Sequence, residues 1–525
     1  MLNNVGLFLT KRALLNPQRE AYVDGNLGYR LSFAELNARC NRLANAYLAA
    51  GMEKGERVGL LLMNSAEFVE NFFALGKIGA VAVPLNWRLV PDELEFILKD
   101  SGTRRLVFSG EFADTVAELH DRGEKTEIRQ WLQVLTDDPA PAEGIQGTEK
   151  AAVFAEPYQV FRDAAPDSEP QPLAGEDDML FIMYTSGTTG LPKGVVHTHG
   201  SVMWGILTIA ATTYYRESER YLAALPMFHV GALTPLIANI YRGATSVVMR
   251  SFDPMLAWQL IEREGLTCGL MVPAMLSFML QVPGFKDFDR STLRWLMAGA
   301  APVPVATIQA FFDLGIEIHQ VYGSTETCGP ACLIDSENSL SHIGSTGKAF
   351  FHTDVRIVAE GDKDSAPGEP GEVWVRGGHI MREYWNRPEA TAETLVNGWL
   401  RTGDVAVMDA EGFVYIQDRI KDMIISGGEN VYPAEIENVL QSHPDILEAA
   451  VIGVESEKWG ESPLAIVVAT CDKLSEVEVL AHCSGKLARF KQPCRAVFVD
   501  EIPRNPSGKI LKRVLREQFP NPAPQ

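Results

Sequence analysis

A string of hydroxyl-bearing residues and glycines, running from Tyr184 to Gly194 as YTSGTTGLPKG, could bind phosphate groups. Glycines let a backbone curl so that its N–H groups converge on an anion, and Lys193 adds a positive charge. Because Pro192 precedes Lys193 and Gly194 follows it, the order differs from that of a Walker A loop. The string predicts an anion cradle for a polyphosphate; the alternative is a flexible surface loop. Its candidate phosphate-binding residues are Thr185, Ser186, Gly187, Thr188, Thr189 and Lys193.

The string resembles the phosphate loop of the adenylate-forming enzymes, a family of acyl-CoA and aryl-CoA synthetases, peptide-synthetase adenylation domains and firefly luciferase. Four further strings are similar to motifs of that family and occur in the family's order. The resemblance extends from about residue 10 to residue 518. The four strings are Gln320–Glu326 (adenine and magnesium), Leu400–Asp404 (ribose), Asp418–Asn430 (hinge and CoA tunnel) and Pro503–Lys509 (catalytic lysine).

The resemblance implies a role for each residue of the nucleotide site. Glu326 is expected to hold Mg²⁺, since a hard divalent cation prefers carboxylate oxygen. Tyr322 offers a flat face to adenine, Thr325 a hydroxyl to the α-phosphate, and Asp404 two oxygens to the vicinal ribose hydroxyls. Arg419 would reach the same sugar. The alternatives are a glycine-bounded turn with a solvated glutamate, and turn-capping or surface-pair roles for Asp404 and Arg419.

Small residues are expected to lie along the adenine ring and the acyl group. The resemblance places Gln320, Gly323, Ala300 and Ala301 in the ATP site, although packing at a strand end would also favour small side chains at 300 and 301. The family usually has glycine where this sequence has Val321, so we expect a narrower adenine edge here.

Lys509 is the expected catalytic cation. Joining a carboxylate to the α-phosphate of ATP brings two anions together, and the resemblance implies that Lys509 bridges them. Losing one such preorganised group typically costs about 3 to 4 kcal/mol, or on the order of 10² to 10³ in rate. The alternative is a solvated lysine in the basic run with Lys512 and Arg513.

His229, in the string LPMFHVGA, resembles the acyl-pocket histidine of the family. The alternative is a core histidine whose hydrogen bonds are made within the protein.

The family alternates between two domain arrangements, and the resemblance implies the same for this chain. Rotation about Lys421 would withdraw Lys509 and bring Gly427 and Gly428 to the pantetheine channel, where glycine lets a thiol arm pass close to the backbone. Trp459 is a candidate wall of that CoA channel, with a buried structural tryptophan as the alternative.

The elements that position these residues follow from the apolar pattern. Amphipathic stretches such as FAELNARCNRLANAYLAAG alternate with short apolar runs such as RVGLLLM and CGLMVP, which predicts parallel sheets covered by helices. The residues from 344 to 417 instead form short alternating strands, typical of a small antiparallel sheet or barrel. We therefore expect an α/β fold: a large N-terminal domain, 1–417, of doubly wound sheets plus a small β-barrel, and a smaller, mobile α+β domain, 418–525.

Composition narrows the range of partners. The chain has 525 residues and a net charge of −21, which opposes general nucleic-acid binding. No run predicts a membrane span, while a local basic patch would leave peripheral membrane contact open. Seven scattered cysteines favour a reduced compartment, and we expect the cytoplasm. A homodimer is left open.

Taken together, the residues and the resemblance predict an ATP- and Mg²⁺-dependent acid:CoA ligase that uses CoA as co-substrate and releases AMP and pyrophosphate. The expected acid is a medium- to long-chain fatty acid. The alternatives are an aryl or phenylpropenoate acid, a stand-alone adenylation enzyme that loads a carrier protein, and a non-catalytic nucleotide sensor.

Overall fold

The structure is a computed structural model. It describes residues 4–135, 151–185, 192–216, 218–301, 303–419, 422–426, 429–456, 460–471, 473–484, 486–487, 489–504 and 510–520. Ser186, Gly187, Thr188, Thr189, Lys421, Gly427, Gly428, Trp459 and Lys509 lie outside the described residues, as do the side chains of Asp418 and Arg419.

The first sheet is mainly parallel, with antiparallel strands added at both edges. Successive parallel strands connect through helices, as the alternating pattern predicts. In spatial order its strands are β16 (Lys348–Ala349), β15 (Cys332–Leu333), β14 (Glu317–Tyr322), β13 (Trp295–Ala298), β12 (Cys268–Met271), β10 (Arg220–Ala223), β11 (Thr245–Val248), β1 (Glu20–Asp24) and β2 (Arg30–Ser32).

The second sheet is also parallel in its centre, and a short antiparallel segment closes one edge. Its strands, in spatial order, are β20 (Glu383–Tyr384), β9 (Lys193–Thr198), β8 (Met179–Thr185), β4 (Val81–Pro84), β3 (Arg57–Leu61), β5 (Arg105–Ser109), β6 (Gln130–Val134) and β7 (Glu156–Pro157).

Helices cover both sheets. In chain order they are α1 (Leu7–Leu15), α2 (Phe33–Ala49), α3 (Ala66–Ile78), α4 (Pro91–Ser101), α5 (Ala113–Asp121), α6 (Tyr158–Asp163), α7 (His199–Thr212), α8 (Val230–Arg242), α9 (Pro254–Glu264), α10 (Pro273–Gln281) and α11 (Val305–Asp313). Short 3₁₀ turns occur at Gly110–Phe112, Gly123–Lys125, Phe285–Asp287 and Arg489–Lys491. No helix among the described residues is long and apolar enough to cross a membrane.

Two helices of the core show how the sequence specifies them. Helix α2 begins with a capping box, in which Ser32 and Glu35 satisfy each other's backbone N–H groups. Helix α3 is buried along its whole length, so its charged side chains need partners. Lys77 meets this need, because its ammonium donates to Asn37, Asn41 and Glu169 at 2.6–2.8 Å.

The small β unit is an antiparallel sheet. In spatial order its strands are β18 (Lys363–Asp364), β17 (Thr353–Ala359), β19 (Pro370–Gly377), β22 (Trp399–Met408) and β21 (Leu395–Val396), with β23 (Val414–Arg419) also paired to β22. Helix α12 (Pro388–Thr394) precedes β21. The antiparallel strands predicted between residues 344 and 417 are confirmed.

A fourth sheet follows, and the terminal part of the chain is α+β as predicted. Its strands are β25 (Glu429–Val431), β24 (Ile424–Ser426), β27 (Gly460–Ala469) and β26 (Ile446–Ser456), with β28 (Arg495–Phe498) paired to β27. Helices α13 (Pro433–Gln441), α14 (Glu476–Cys483) and α15 (Lys512–Gln518) complete it. The α/β prediction is confirmed: a large N-terminal part and a smaller C-terminal one.

The structure adds strands and a helix where the sequence analysis named none. The phosphate string is followed by β9, which pairs antiparallel with β8 and places Thr185 opposite Lys193, before helix α7 begins at His199. The polar stretch from 120 to 177 contains β6 and α6, whose short lengths leave little periodic signal.

Candidate active site

A cavity of about 1890 Å³ opens where strands of both sheets end. Its walls include Thr185 at the end of β8, Val272 after β12, Ala300 after β13 and Thr325 after β14. In open α/β sheets, ligands bind outside the carboxyl ends of the strands. The volume exceeds what one drug-sized ligand requires, so the cavity has room for a nucleotide and a second substrate together.

The cavity brings together most of the predicted site residues that the structure describes. Those in its wall are Thr185, Lys193, His229, Ala300, Gly323, Thr325, Glu326 and Asp404. Three predicted residues do not line the cavity: Ala301, Tyr322 and the buried Gln320, whose amide donates to the Ser345 carbonyl at 3.0 Å. The described backbone of Arg419 lies opposite Asp404 in the β22–β23 pair.

Tyr384 joins the two charged groups at the phosphate end of the cavity. Its hydroxyl donates to Oε1 of Glu326 at 2.8 Å, and the Lys193 ammonium lies 5.0 Å from the centre of its ring. A cation over an aromatic face is attracted by the ring quadrupole. Tyr384 therefore holds a cation and a carboxylate side by side, the pair of charges that a magnesium–phosphate complex requires.

Glu326 fits a magnesium site of the kind that substrates complete. Among the described residues, no group of three His, Cys, Asp or Glu side chains could hold a metal ion by itself. Mg²⁺ is commonly bound by one or two carboxylates together with substrate phosphates and water. Glu326 supplies one such carboxylate in the cavity wall, next to the Thr325 hydroxyl.

The ribose candidate Asp404 is held by a tyrosine. The hydroxyl of Tyr322 donates to Oδ2 of Asp404 at 2.7 Å, and Asp404 is 8% exposed. Burial and this carboxylate raise the pKa of Tyr322 well above its usual value, so the hydroxyl stays protonated and remains a donor. Glu372 fixes the turn before Asp404, since its Oε1 accepts from the Gly403 N–H at 3.0 Å.

The adenine edge of the cavity depends on one glycine. A Cβ at Gly299 would lie 2.6 Å from the carbonyl oxygen of Val321, so only glycine fits. The next residue, Ala300, has a φ of 69°, in the left-handed region that side chains rarely adopt. Val321 also lines the cavity.

His229 precedes α8 and lines the cavity. Burial, together with the smaller effect of the nearby Arg88 charge, lowers its pKa to about 4, so the ring is neutral near pH 7. Its Nε2 atom is buried and has no hydrogen-bond partner within the described residues. The ring can therefore accept or donate one hydrogen bond to a group placed in the cavity.

Part of the cavity wall, here called the apolar channel, consists of apolar side chains. Phe228 packs edge-on against Trp87 with ring centres 6.0 Å apart, and Arg88 lies 4.1 Å from the Trp87 ring. An apolar channel of this kind suits a hydrocarbon chain or an aromatic ring. Its other apolar walls include Ile209, Tyr215, Leu270, Val272, Met275, Phe278, Met297 and Phe350.

Sequence reasoning missed several residues that shape the cavity. Tyr384, Glu372 and Arg88 lie outside the strings that it examined. Asn64 was also missed: its amide donates to the carbonyls of Leu225 and Met249 at 2.9 and 3.0 Å, clamping two loops of the cavity wall. The only local signal for Asn64 in the sequence is its position directly after the apolar run RVGLLLM.

Residues of the C-terminal part reach the same cavity. Arg504 and Leu511 line it, and Arg504 also pairs with Glu448 at 3.1 Å. The Leu511 N–H donates to the Pro503 carbonyl at 2.8 Å, which brings together the two chain segments that flank residues 505–509. The position of Lys509 in the sequence is thus bracketed by two residues of the cavity wall.

The chain matches two family models. Residues 9–385 match the AMP-binding enzyme model, and residues 435–509 match the model of the AMP-binding enzyme C-terminal domain. The long-chain-fatty-acid–CoA ligase FadD13 of Mycobacterium tuberculosis is 44% identical over 524 residues, covering 100% of both chains. A feruloyl-CoA synthase of an Amycolatopsis species is 39% identical, covering 98% of this chain and 99% of that one.

Solved structures agree over almost the whole length. The Mycobacterium tuberculosis fatty acyl CoA synthetase is 43% identical, with a TM-score of 0.78 and 98% of both chains covered. ATP-bound MatB from Rhodopseudomonas palustris is 28% identical, with a TM-score of 0.88 and 99% of both chains covered.

Proposed function

Because this chain belongs to the AMP-binding enzyme family, we propose that it is an AMP-forming acid:CoA ligase. The reaction is carboxylate + ATP + CoA → acyl-CoA + AMP + pyrophosphate, with Mg²⁺ accompanying ATP. One observation supports it above all: a single cavity brings together Lys193, Glu326 and Asp404 from separate elements of the N-terminal part with Arg504 and Leu511 of the C-terminal part.

The proposed acid is a medium- to long-chain fatty acid. Likeness to the fatty-acid ligase supports it, and so does the apolar channel in the cavity wall. Transferring methylene groups from water to such a channel contributes about 0.8 kcal/mol each. An aryl or phenylpropenoate acid is the second candidate, favoured by likeness to the feruloyl-CoA synthase and by the aromatic pair Trp87 and Phe228.

The first half-reaction requires attack by one anion on another. Lys193 and the string before it would neutralise the β- and γ-phosphates, and the Thr325 hydroxyl would donate to the α-phosphate. Glu326, oriented by Tyr384, would hold Mg²⁺, which supplies charge neutralisation at the phosphates. Asp404, oriented by Tyr322, would accept from both ribose hydroxyls.

Lys509 would complete this site by bridging the α-phosphate and the acid. Arg504 and Leu511, which flank residues 505–509 in the sequence, both line the cavity, and this supports that role. His229, neutral and with a buried, unpaired Nε2 among the described residues, would then lie between the carboxylate and the approaching thiol.

The second half-reaction requires a different set of groups at the same carbonyl. We propose an N-terminal domain, 1–417, and a mobile C-terminal domain, 418–525, which rotates about Lys421 once pyrophosphate has left. Gly427, Gly428 and Trp459 would then line the pantetheine channel. Separate cores support this division: Ile424 and Ile436 pack in a cluster of the terminal sheet, whereas Val373 and Val414 pack in that of the antiparallel sheet.

Other properties follow less directly from the residues. A cytoplasmic location is supported by seven cysteines that are all free thiols. Peripheral membrane contact and a homodimer stay predictions, which vesicle co-sedimentation and light scattering would measure. A carrier protein as acyl acceptor is the remaining alternative; comparing CoA with a phosphopantetheinyl protein would decide between them.

The decisive experiment is CoA-dependent AMP release over a panel of fatty, aryl and short acids. Preference for chains of about eight carbons or more would support the fatty-acid proposal, while preference for cinnamates or benzoates would replace it with the aryl one. If no acid supports ATP–pyrophosphate exchange, the ligase proposal fails and a nucleotide sensor is favoured.

Two variants test the division of labour between the half-reactions. Lys509→Ala should lower acyl-AMP formation about 10² to 10³-fold while supplied acyl-AMP still yields acyl-CoA. Lys421→Pro should do the reverse. Arg513→Ala is the matched control, because Arg513 belongs to the same basic run but is exposed and pairs with Glu517. Equal loss of both half-reactions in Lys509→Ala and Lys421→Pro, with the fold retained, would contradict domain alternation.

A further inference from the structure

The loop that carries Thr325 and Glu326 is held from outside at four successive carbonyl groups. Each of these carbonyls accepts a hydrogen bond from a donor outside the loop, so the backbone of the loop has little freedom to rotate. The donors and distances are His197 Nε2 to Thr325 (2.7 Å), Met381 N–H to Glu326 (2.7 Å), His379 Nδ1 to Thr327 (2.9 Å) and Thr234 Oγ1 to Cys328 (2.8 Å).

The two histidines are in opposite tautomers. A carbonyl can only accept, so Nε2 of His197 and Nδ1 of His379 must carry the hydrogen. The other ring nitrogen then accepts from a hydroxyl: Ser201 at 3.1 Å in the first case and Thr353 at 2.7 Å in the second. Both side chains are fully buried, and burial lowers both pKa values, that of His197 to about 4.

Close packing fixes where each ring lies. The His197 ring packs 5.1 Å from the ring of Phe181, its neighbour across the β8–β9 pair. A Cβ at Gly377 would lie 2.7 Å from Nε2 of His379, and one at Gly378 would lie 2.5 Å from the Trp204 ring. These two glycines therefore let the chain turn tightly around His379.

The carbonyls that the histidines hold lie on either side of Glu326. His197 comes from the strand that also carries Lys193, and His379 precedes the segment that carries Tyr384. The same two segments thus fix the backbone of the loop and supply the charged and polar partners of its side chains. A rotation of the loop backbone would move the Thr325 hydroxyl and the Glu326 carboxylate together.

We propose that His197 and His379 are positioning residues for acyl-adenylate formation: by donating to the carbonyls of Thr325 and Thr327, they hold the Thr325 hydroxyl and the Glu326 carboxylate in register with the α-phosphate and its Mg²⁺. This proposal rests on the proposed ligase function. Neither ring touches the reacting atoms, and a misplacement of about 1 Å at a catalytic group can cost on the order of 10²-fold in rate.

The opposite tautomers provide matched isosteres. The amide nitrogen of glutamine can occupy the position of Nε2, and that of asparagine the position of Nδ1. His197→Gln and His379→Asn therefore keep a donor for the loop, whereas His197→Asn and His379→Gln place it out of reach. Within each pair the substitutions differ by one methylene group, so a general packing defect would not follow this crossed pattern.

The experiment measures four quantities in all four variants: ATP–pyrophosphate exchange, calorimetric affinity for Mg²⁺·ATP, conversion of supplied acyl-AMP to acyl-CoA, and the melting temperature. We expect His197→Gln and His379→Asn to keep exchange within about threefold of the parent. His197→Asn and His379→Gln should lose about 10 to 10²-fold in kcat for exchange and require more Mg²⁺. Conversion of supplied acyl-AMP should be unchanged in all four.

Equal losses within each pair, or losses in both half-reactions that parallel the melting temperature, would overturn the proposal and leave the histidines a packing role. Failure of the ligase proposal looks different, because the parent itself would then show no exchange with any acid. In that case calorimetry still tests the positioning role: the crossed pattern must appear in Mg²⁺·ATP affinity, and its absence there refutes it.

Discussion

The hydrogen bond between Tyr322 and Asp404 should set the affinity for ATP. Tyr322→Phe keeps the aromatic ring and removes only the hydroxyl that donates to Asp404 at 2.7 Å. A hydrogen bond to a charged group is worth about 1.5 to 3 kcal/mol, and Asp404 is buried enough for this range to apply. Since about 1.4 kcal/mol is a factor of ten, we expect the KM for ATP to rise about 10 to 10²-fold.

The assay is ATP–pyrophosphate exchange at saturating acid, with the KM for the acid measured in parallel. The KM for the acid should stay within about twofold, because Tyr322 does not itself line the cavity and its hydroxyl contacts Asp404. A double-mutant cycle of Tyr322→Phe with Asp404→Asn should give a coupling energy of about 1.5 to 3 kcal/mol. Additive effects, or an unchanged KM for ATP in Tyr322→Phe, would refute the reasoning.

A second tyrosine–aspartate pair on the same sheet provides the matched control. The Tyr415 hydroxyl donates to Asp409 at 3.3 Å, but the pair is half-buried and lies outside the cavity wall. Tyr415→Phe should leave the KM for ATP unchanged and lower the free energy of unfolding by less than about 1 kcal/mol. A common effect of both substitutions would point to the sheet as a whole and not to the ribose site.

Three further predictions concern other parts of the molecule. Tyr384→Phe removes the donor to Glu326 but keeps the ring beneath Lys193, so the rate of ATP–pyrophosphate exchange should fall about tenfold. Tyr384→Leu also removes the ring, so the rate should fall further. Equal rates for the two variants would count against the cation–π contact. Lys77→Met removes the buried donor to Asn37, Asn41 and Glu169, of which only Asn41 is buried, and should cost about 1 to 3 kcal/mol in urea unfolding, whereas a loss below about 1 kcal/mol would show that the site relaxes. Burial lowers the pKa values of His197, His199 and His229 to about 4, so near pH 6.5 the unfolded chain binds protons that the folded chain does not bind. The free energy of unfolding should therefore be highest above pH 6.5 and fall between pH 6.5 and 4 by roughly 3 kcal/mol per histidine, since one pKa unit is about 1.36 kcal/mol. An equal urea midpoint at pH 7.5 and pH 5 would contradict this prediction.

The sequence predicted those parts of the fold and site that depend on local pattern. The apolar run CGLMVP contains the strand Cys268–Met271, as a short continuous apolar run predicts for a largely buried strand. FAELNARC is helical because its apolar residues recur at helical spacing behind a capping serine. Within the motifs, Glu326 and Asp404 were named from the family resemblance, and both line the cavity.

What the sequence could not predict are partnerships between distant segments. Tyr322 was assigned to adenine, and nothing local shows that its hydroxyl would donate to Asp404, because the two strands meet only through the tertiary fold. Tyr384 and His379 lie in a segment without a recognisable signal, yet both hold the loop of Glu326. Their roles come from the pairing of β20 with β9, a long-range contact that periodicity does not encode.

These partnerships link the binding subsites to one another. Glu326 receives its side-chain partner from Tyr384, its loop is held by His197, and the Asp404 carboxylate receives its donor from Tyr322, which directly precedes that loop. A shift of the loop would therefore disturb the ribose, magnesium and phosphate contacts together. A site built in this way favours ATP that occupies the proposed ribose, magnesium and phosphate contacts at the same time. A ligand that makes only one of these contacts gains little affinity from the rigidity of the other two.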